Sequence, residues 1–284
     1  MRSADALSGL LWFRPPGRKV NVLKDDTFLV SYPRSGSVWT RFLIASVLYG
    51  HSPDFVRMNA LLPDIYVASR RHLSRLASPR LMKSHEYFDP RYRRVIYLIR
   101  DPRDVIMSYH EFQKKRKIIS ENCPLESYVE RFVEGGLDPF GTWQEHVGSW
   151  LGARSGRSDF LLVRYEDLKG TTESELRRIV DFIGLEANDV QLAMAAEQCS
   201  FAAMRKLERI QAKEGIIDRS RVDRPALRSG RAGGWREELA PALAARIADA
   251  FRPVMEDLGY LGGSVRRRSS SLGQPEPRIR QAGS

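Results

Sequence analysis

The sequence predicts an α/β fold: a single domain with a central parallel sheet of about five strands flanked by helices. Three observations carry that expectation. Short runs of β-branched and aromatic residues alternate with stretches at helical spacing, and each run ends in a polar turn. The 284 residues, 42% of them apolar, supply ample core for one such domain.

The elements follow in order. Thr27–Tyr32 (TFLVSY) reads as a buried strand, Pro33–Val38 as its turn, and Trp39–Tyr49 as the helix that follows. Leu81–Lys83 reads as a short strand. Arg94–Arg100 (RVIYLIR) is a clear one, leading into a helix over Pro102–Phe112 capped by Asp101, with Pro102 suited to its first turn. Asp159–Tyr165 is a further strand, and Thr172–Ile183 a helix where Thr172 and Glu175 fit a capping box. Glu238–Leu258 is amphipathic, with Pro241 and Pro253 placed to bend or break it. Ligands of parallel sheets bind at the carboxyl ends of the strands, so the turns after Tyr32, Lys83 and Arg100 should share one rim. The expected boundaries are an N-terminal extension over 1–24, the domain over 25–262, and a basic, disordered tail over 263–284.

A net charge of +11 asks for an anionic partner: nucleic acid, a membrane surface or a phosphorylated small molecule. Residues 266–284 hold five arginines against one glutamate, a solvated end suited at most to weak contact with a membrane or polyanion. Nothing points to a specific nucleic acid. Leu10–Phe13 is too short for a signal-peptide core, and no apolar run approaches the roughly 18 residues of a membrane span. Two cysteines exclude a disulfide framework and a four-cysteine zinc site, which fits a cytoplasmic location.

The turn YPRSGSVW carries the chemistry. A helix N-terminus offers unpaired N–H groups and partial positive charge. Gly36 admits close approach of an anion to the backbone, Ser35 and Ser37 add hydroxyls, and Arg34 adds a permanent charge. An ordinary strand–helix turn with a surface arginine is the alternative. The GxxxxGK[ST] spacing of nucleoside-triphosphate loops is lacking, which weakens a kinase reading.

With three more segments in order, MKSH (82–85), RVIYLIRDPRDVIMSYHEF (94–112) and RSGRAGGWR (228–236), this turn resembles the phosphosulfate-binding set of the cytosolic sulfotransferase family. GTWQEHVGSW (141–150) and VRYEDLK (163–169) match intervening family segments, and the resemblance spans roughly 25–260. It implies a P-loop nucleotide-kinase-like sheet, 3′-phosphoadenosine 5′-phosphosulfate as sulfuryl donor, and adenosine 3′,5′-bisphosphate as product. Arg34, Ser35, Gly36, Ser37, Val38 and Trp39 would hold the donor's 5′ end. Arg100 and Ser108, joined by Arg228, Ser229 and Gly230, would take its 3′-phosphate. Trp39, Tyr165 and Phe201 would lie against the adenine, Phe201 coming with Cys199 from CSFAAM.

The resemblance further makes His85 the general base, with Arg34 and Lys83 neutralising charge on the transferred group and Ser108 steering one of them. Glu86 is the rival base. No metal is needed. The match departs at Arg34 (usually lysine), Val38 (threonine), Ser229 (lysine) and Gly234 (acidic). The acceptor, a small-molecule, glycoside or lipid hydroxyl or an amine, would be chosen by 51–80, 113–140 and 209–227, with Phe55, Tyr66, Tyr87, Phe88 and Phe140 as candidate pocket residues. Arg205–Arg231 is basic enough for a lid ordered by the donor. Two rivals stay open: a P-loop small-molecule kinase, and a non-enzymatic polyanion binder suggested by Gln113–Lys117 (QKKRK).

Overall fold

The computed structural model describes residues 19–51, 53–218, 227 and 229–262. Four parallel strands form one sheet: β1 (Thr27–Ser31), β2 (Leu81–Ser84), β3 (Arg94–Ile99) and β4 (Phe160–Arg164), in the order β2-β1-β3-β4. The expectation of about five strands is corrected to four among the described residues. A fifth segment stops at a single parallel bridge, Asp64 to Lys83, on the outer side of β2, where Pro63 interrupts the backbone donors a strand requires.

Both faces of the sheet are buried, and side-chain alternation splits them cleanly. Phe28, Val30, Val95, Tyr97 and Ile99 face one core, while Leu29, Ile96 and Leu98 face the other. The helices that follow the two central strands part company here. Helix α1 (Ser37–Tyr49), after β1, packs on the Leu29 side through Phe42 and Leu43; α2 (Phe55–Leu61) joins it there. After the short α3 (Arg70–Arg75), helix α4 (Pro102–Lys115), following β3, packs on the Phe28 side through Val105 and Ile106. Neighbouring strands whose helices leave to opposite faces create a crevice beyond their carboxyl ends. That crevice is where the site forms.

The remaining helices close the layers. Helices α5 (Leu125–Val133) and α6 (Trp143–Arg154) cover the Phe28 face with the C-terminal ones. Helices α7 (Tyr165–Gly170), α8 (Thr172–Ile183), α9 (Asp189–Gln198) and α10 (Phe201–Lys213) serve the Leu29 face. The expected break at the prolines is present: α11 (Trp235–Glu238), α12 (Pro241–Ala250) and α13 (Arg252–Asp257) replace one long helix, with a proline in the first turn of the last two. Helix α8 has the expected span, but its start is corrected. Thr171 is the cap residue and makes no side-chain capping bond. Capping boxes occur instead at Thr142 and Glu145, heading α6, and at Asn188 and Gln191, heading α9.

Candidate active site

A cavity of about 720 Å³ opens over the crevice. At one end lies the loop after β1. Arg34 and Gly36 both hold positive φ, 68° and 105°. A Cβ on Gly36 would come within 2.6 Å of the Tyr165 ring, so only glycine fits that turn. For Arg34 the left-handed conformation costs about 1–2 kcal/mol, a strain kept where it aims a functional group. Helix α1 then starts at Gly36 with no side-chain cap and no acidic residue in its first turn. Its leading N–H groups are left for an anion.

The Arg34 side chain is held from two sides. Its Nε donates to Ser108 Oγ at 3.1 Å, and the guanidinium sits 4.5 Å from the centre of the Phe112 ring. Ser108 and Phe112 are one turn apart on α4, and Arg116, another turn on, also lines the cavity. Arg100, at the end of β3, donates to the carbonyls of Arg34 (3.4 Å) and Arg231 (2.9 Å) and lies over Tyr165 at 4.3 Å. Asp104 stands 3.7 Å from it and accepts from the backbone N–H groups of Gly233 (2.7 Å) and Trp235 (2.9 Å). That carboxylate therefore ties the 229–235 segment to the rim, a role the sequence did not disclose. Gly230, with φ 61°, passes so near Phe201 that no Cβ fits between them.

Trp39 donates from its indole N–H to the Cys199 carbonyl (2.8 Å) and meets Tyr165 edge-on at 5.8 Å. Cys199 itself is buried and lies outside the cavity lining; its backbone braces Trp39. Ser35 is likewise buried behind the loop, its hydroxyl without a hydrogen-bond partner among the described residues. Arg34, Gly36, Ser37, Val38, Trp39, Arg100, Ser108, Tyr165, Phe201, Ser229 and Gly230 all line one cavity. Arg228, and 219–226 of the expected lid, lie outside the described residues.

The other end of the cavity is built on β2. His85 Nδ1 is 2.6 Å from the Ser31 carbonyl, which only accepts, so Nδ1 carries the hydrogen and Nε2 the lone pair. Burial, reinforced by Lys83, holds this imidazole well below the ordinary histidine value. Its ring lies near-parallel to Tyr66 (13°, 6.0 Å) and 5.8 Å from Phe140. His146 secures it from behind, its Nε2 donating to the His85 carbonyl (2.9 Å) while the Tyr97 hydroxyl donates to Nδ1 (2.8 Å). Glu86 points elsewhere: it is fully buried, accepts from the Tyr66 hydroxyl at 3.2 Å and does not line the cavity.

Lys83 is paired with Asp64, Nζ to Oδ2 at 2.8 Å, and Arg41 lies nearby with its guanidinium on the Leu62 carbonyl and Asn59. Neither Asp64 nor Arg41 carried a sequence signal, since Asp64 sits in an irregular loop 19 residues before its partner. Phe112 and Arg116 were legible in principle, at four-residue spacing from Ser108. Of the candidate pocket aromatics, Phe55, Tyr66 and Phe140 line the cavity; Tyr87 is exposed, and Phe88 packs on Trp150.

The family model described as "Sulfotransferase domain" matches residues 24–259. The chain belongs to the sulfotransferase family, and it is an enzyme of that class. It is 29% identical to sulfotransferase 2B1 of Rattus norvegicus over 252 residues, 84% of this chain and 73% of that protein. To sulfotransferase 2A1 of Homo sapiens it is 28% identical over 257 residues, covering 84% and 87%. Its fold is similar to mouse sulfotransferase SULT7A1 complexed with PAP (TM-score 0.67, 24% identity, 85% and 89% covered). It is also similar to retinol dehydratase in complex with androsterone and PAP (TM-score 0.66, 19% identity, 84% and 83% covered). Among the described residues no helix is long and apolar enough to cross a membrane, and no His/Cys/Asp/Glu cluster is placed to hold a metal.

Proposed function

We propose that this sulfotransferase draws on 3′-phosphoadenosine 5′-phosphosulfate and delivers the sulfuryl group to a hydroxyl of a small, largely apolar acceptor, with His85 as general base. Two features support the donor. The Arg100 Nε, on a side chain that lines the cavity, is buried without a hydrogen-bond partner among the described residues, as an anchor group awaiting an anion would be. The uncapped start of α1 supplies a second anion contact beside Arg34.

When bound, the donor supplies a sulfuryl group activated by a phosphate leaving group. The chain's own residues do the rest. Arg34 and Lys83 present positive charge at the two sides of the reacting centre, where charge shifts during transfer. Ser108 fixes Arg34 through its Nε. Arg100, Ser229 and Gly230 surround the 3′-phosphate position, with Arg228 assigned there by resemblance, and Trp39, Tyr165 and Phe201 provide aromatic faces for adenine. His85 takes the acceptor's proton at Nε2. The observation that carries this reading is its Nδ1–H bond to Ser31, which leaves a neutral ring with one basic nitrogen. Phe55, Met58, Tyr66 and Phe140 give the acceptor end its apolar walls. Residues 25–262 form the transferase domain in this reading, and Cys123 and Cys199, neither of them in a disulfide, fit a cytoplasmic protein.

The test is His85→Ala. Turnover should fall by about a hundredfold to ten-thousandfold, the contribution typical of a positioned base, while adenosine 3′,5′-bisphosphate titrated calorimetrically binds as to wild type. A mutant with near-normal turnover removes His85 from the role.

A further inference from the structure

Lys83 is a cation in an enclosed place: its side chain is 7% exposed, near the carboxyl end of the edge strand β2. An ammonium so placed loses hydration and tends to surrender its proton, and a neutral amine neither attracts nor neutralises an anion. The surroundings worsen this, because Arg34 and Arg41 are both close enough to disfavour a third positive charge. One group offsets them. Asp64 Oδ2 stands 2.8 Å from Nζ, and its other oxygen accepts from the Tyr66 N–H at 3.0 Å, which fixes the carboxylate's orientation.

The backbone locks the pair together. Lys83 N–H donates to the Pro63 carbonyl (2.9 Å) and Ile65 N–H donates to the Lys83 carbonyl (3.2 Å), so Asp64 sits in register with Lys83. An ammonium has three donors. One goes to Asp64, with the Tyr66 ring 5.2 Å from Nζ, and the remainder serve the cavity that both residues line.

We propose that Asp64 is a positioning residue of the transfer reaction, acting through Lys83: it keeps that ammonium charged and aims its remaining donors at the transferred group. The inference rests on the reading of Lys83 given above. The charged and titratable groups facing Lys83 are Asp64, Arg41, Arg34, His85 and Tyr66. Of these, only Asp64 brings a negative charge to the ammonium. Burial and Lys83 act oppositely on Asp64, and with His85 beside it the carboxyl is held below its ordinary value, so it is ionised at neutral pH. Removing it lowers the pH at which Lys83 deprotonates.

The experiment titrates Lys83 in the free enzyme by NMR of ¹³Cε/¹⁵Nζ-labelled lysine, with Lys83→Arg to assign the signal. In Asp64→Asn the midpoint should fall by about one pH unit or more, a tenfold change in the protonation equilibrium. The alkaline limb of kcat should move down with it. In the Lys83→Arg background, whose charge does not titrate, that limb should be lost and the same substitution should not bring it back. Asp64→Glu should restore the wild-type midpoint. Should Asn not be tolerated, as judged by circular dichroism, Asp64→Ser makes the same test. An unchanged Lys83 midpoint on loss of the carboxylate, or a fall in Asp64→Glu equal to that in Asp64→Asn, overturns the proposal. Normal turnover by Lys83→Ala would instead overturn the role of Lys83 itself, which the titration of the free enzyme keeps separate.

Discussion

The two central strands end in turns of the same grammar and opposite use. After β1 the chain curls through Arg34 and Gly36 into a helix whose first N–H groups meet no side-chain cap. After β3 it enters α4 through Asp101, whose carboxylate accepts from the Arg103 N–H (2.9 Å) and grips the Arg103 guanidinium at 2.9 and 2.7 Å. The Asp101 N–H in turn donates to Glu166 (2.9 Å). One turn is left open for a ligand; the other is sealed by the protein itself. A strand–helix junction is therefore read as a site or a strut by asking what satisfies its leading donors.

Several measurements would break or sharpen that contrast. The largest effect belongs to the open turn: Arg34→Ala should cost about 3–4 kcal/mol of transition-state stabilisation, a fall of two to three orders of magnitude in kcat/KM with little change in melting temperature. The sealed turn should behave in reverse. Asp101→Ala leaves Arg103 buried without its carboxylate and should destabilise the fold by about 3 kcal/mol, read by denaturant unfolding, while bisphosphate affinity stays within a few-fold. Loss of nucleotide affinity in Asp101→Ala comparable to that in Arg34→Ala would dissolve the distinction.

A pH-dependent effect of similar size separates the two histidines of this rim. His146 is fully buried and held down to about 4 by loss of hydration, with its bonds to the His85 and Glu86 backbone acting the other way. Because its folded value lies below its unfolded one, it contributes stability that is full above about pH 6.5 and lost as pH falls toward 4, about 3 kcal/mol in all. The difference between wild type and His146→Asn across that window isolates the contribution from Asp138, whose carboxyl burial pushes up to about 6 and whose titration runs the opposite way. His85 should titrate in the free enzyme below the ordinary value of about 6.5, followed by its ring-proton NMR shifts, so that Nε2 stays basic at neutral pH.

Much of this was legible without coordinates. The strands, the proline breaks, the Asp101 cap and the open loop all rest on runs of fewer than about ten residues, and the structure has them within a residue or two. The capping box assigned to α8 failed because Thr171, one residue earlier, takes the cap position and turns its hydroxyl to the Asp167 carbonyl (3.0 Å). The fifth strand failed because Pro63–Ile65 has the pairing but not the length. Glu86 and His85 are adjacent in sequence and equal in chemistry until the fold sends one side chain to Tyr66 and the other to the cavity.

By itself, the sequence determined the loop end of the cavity, since a tight turn, a helix start and a strand-end arginine are encoded by neighbours along the chain. Only the tertiary structure decided the end built on β2. Asp64 meets Lys83 across 19 residues and Ser31 meets His85 across 54, and even at the loop end the brace of Arg34 on Ser108 spans 74. Such pairs depend on how sheet and loops pack, and the energy that selects them is shared among contacts no local pattern contains.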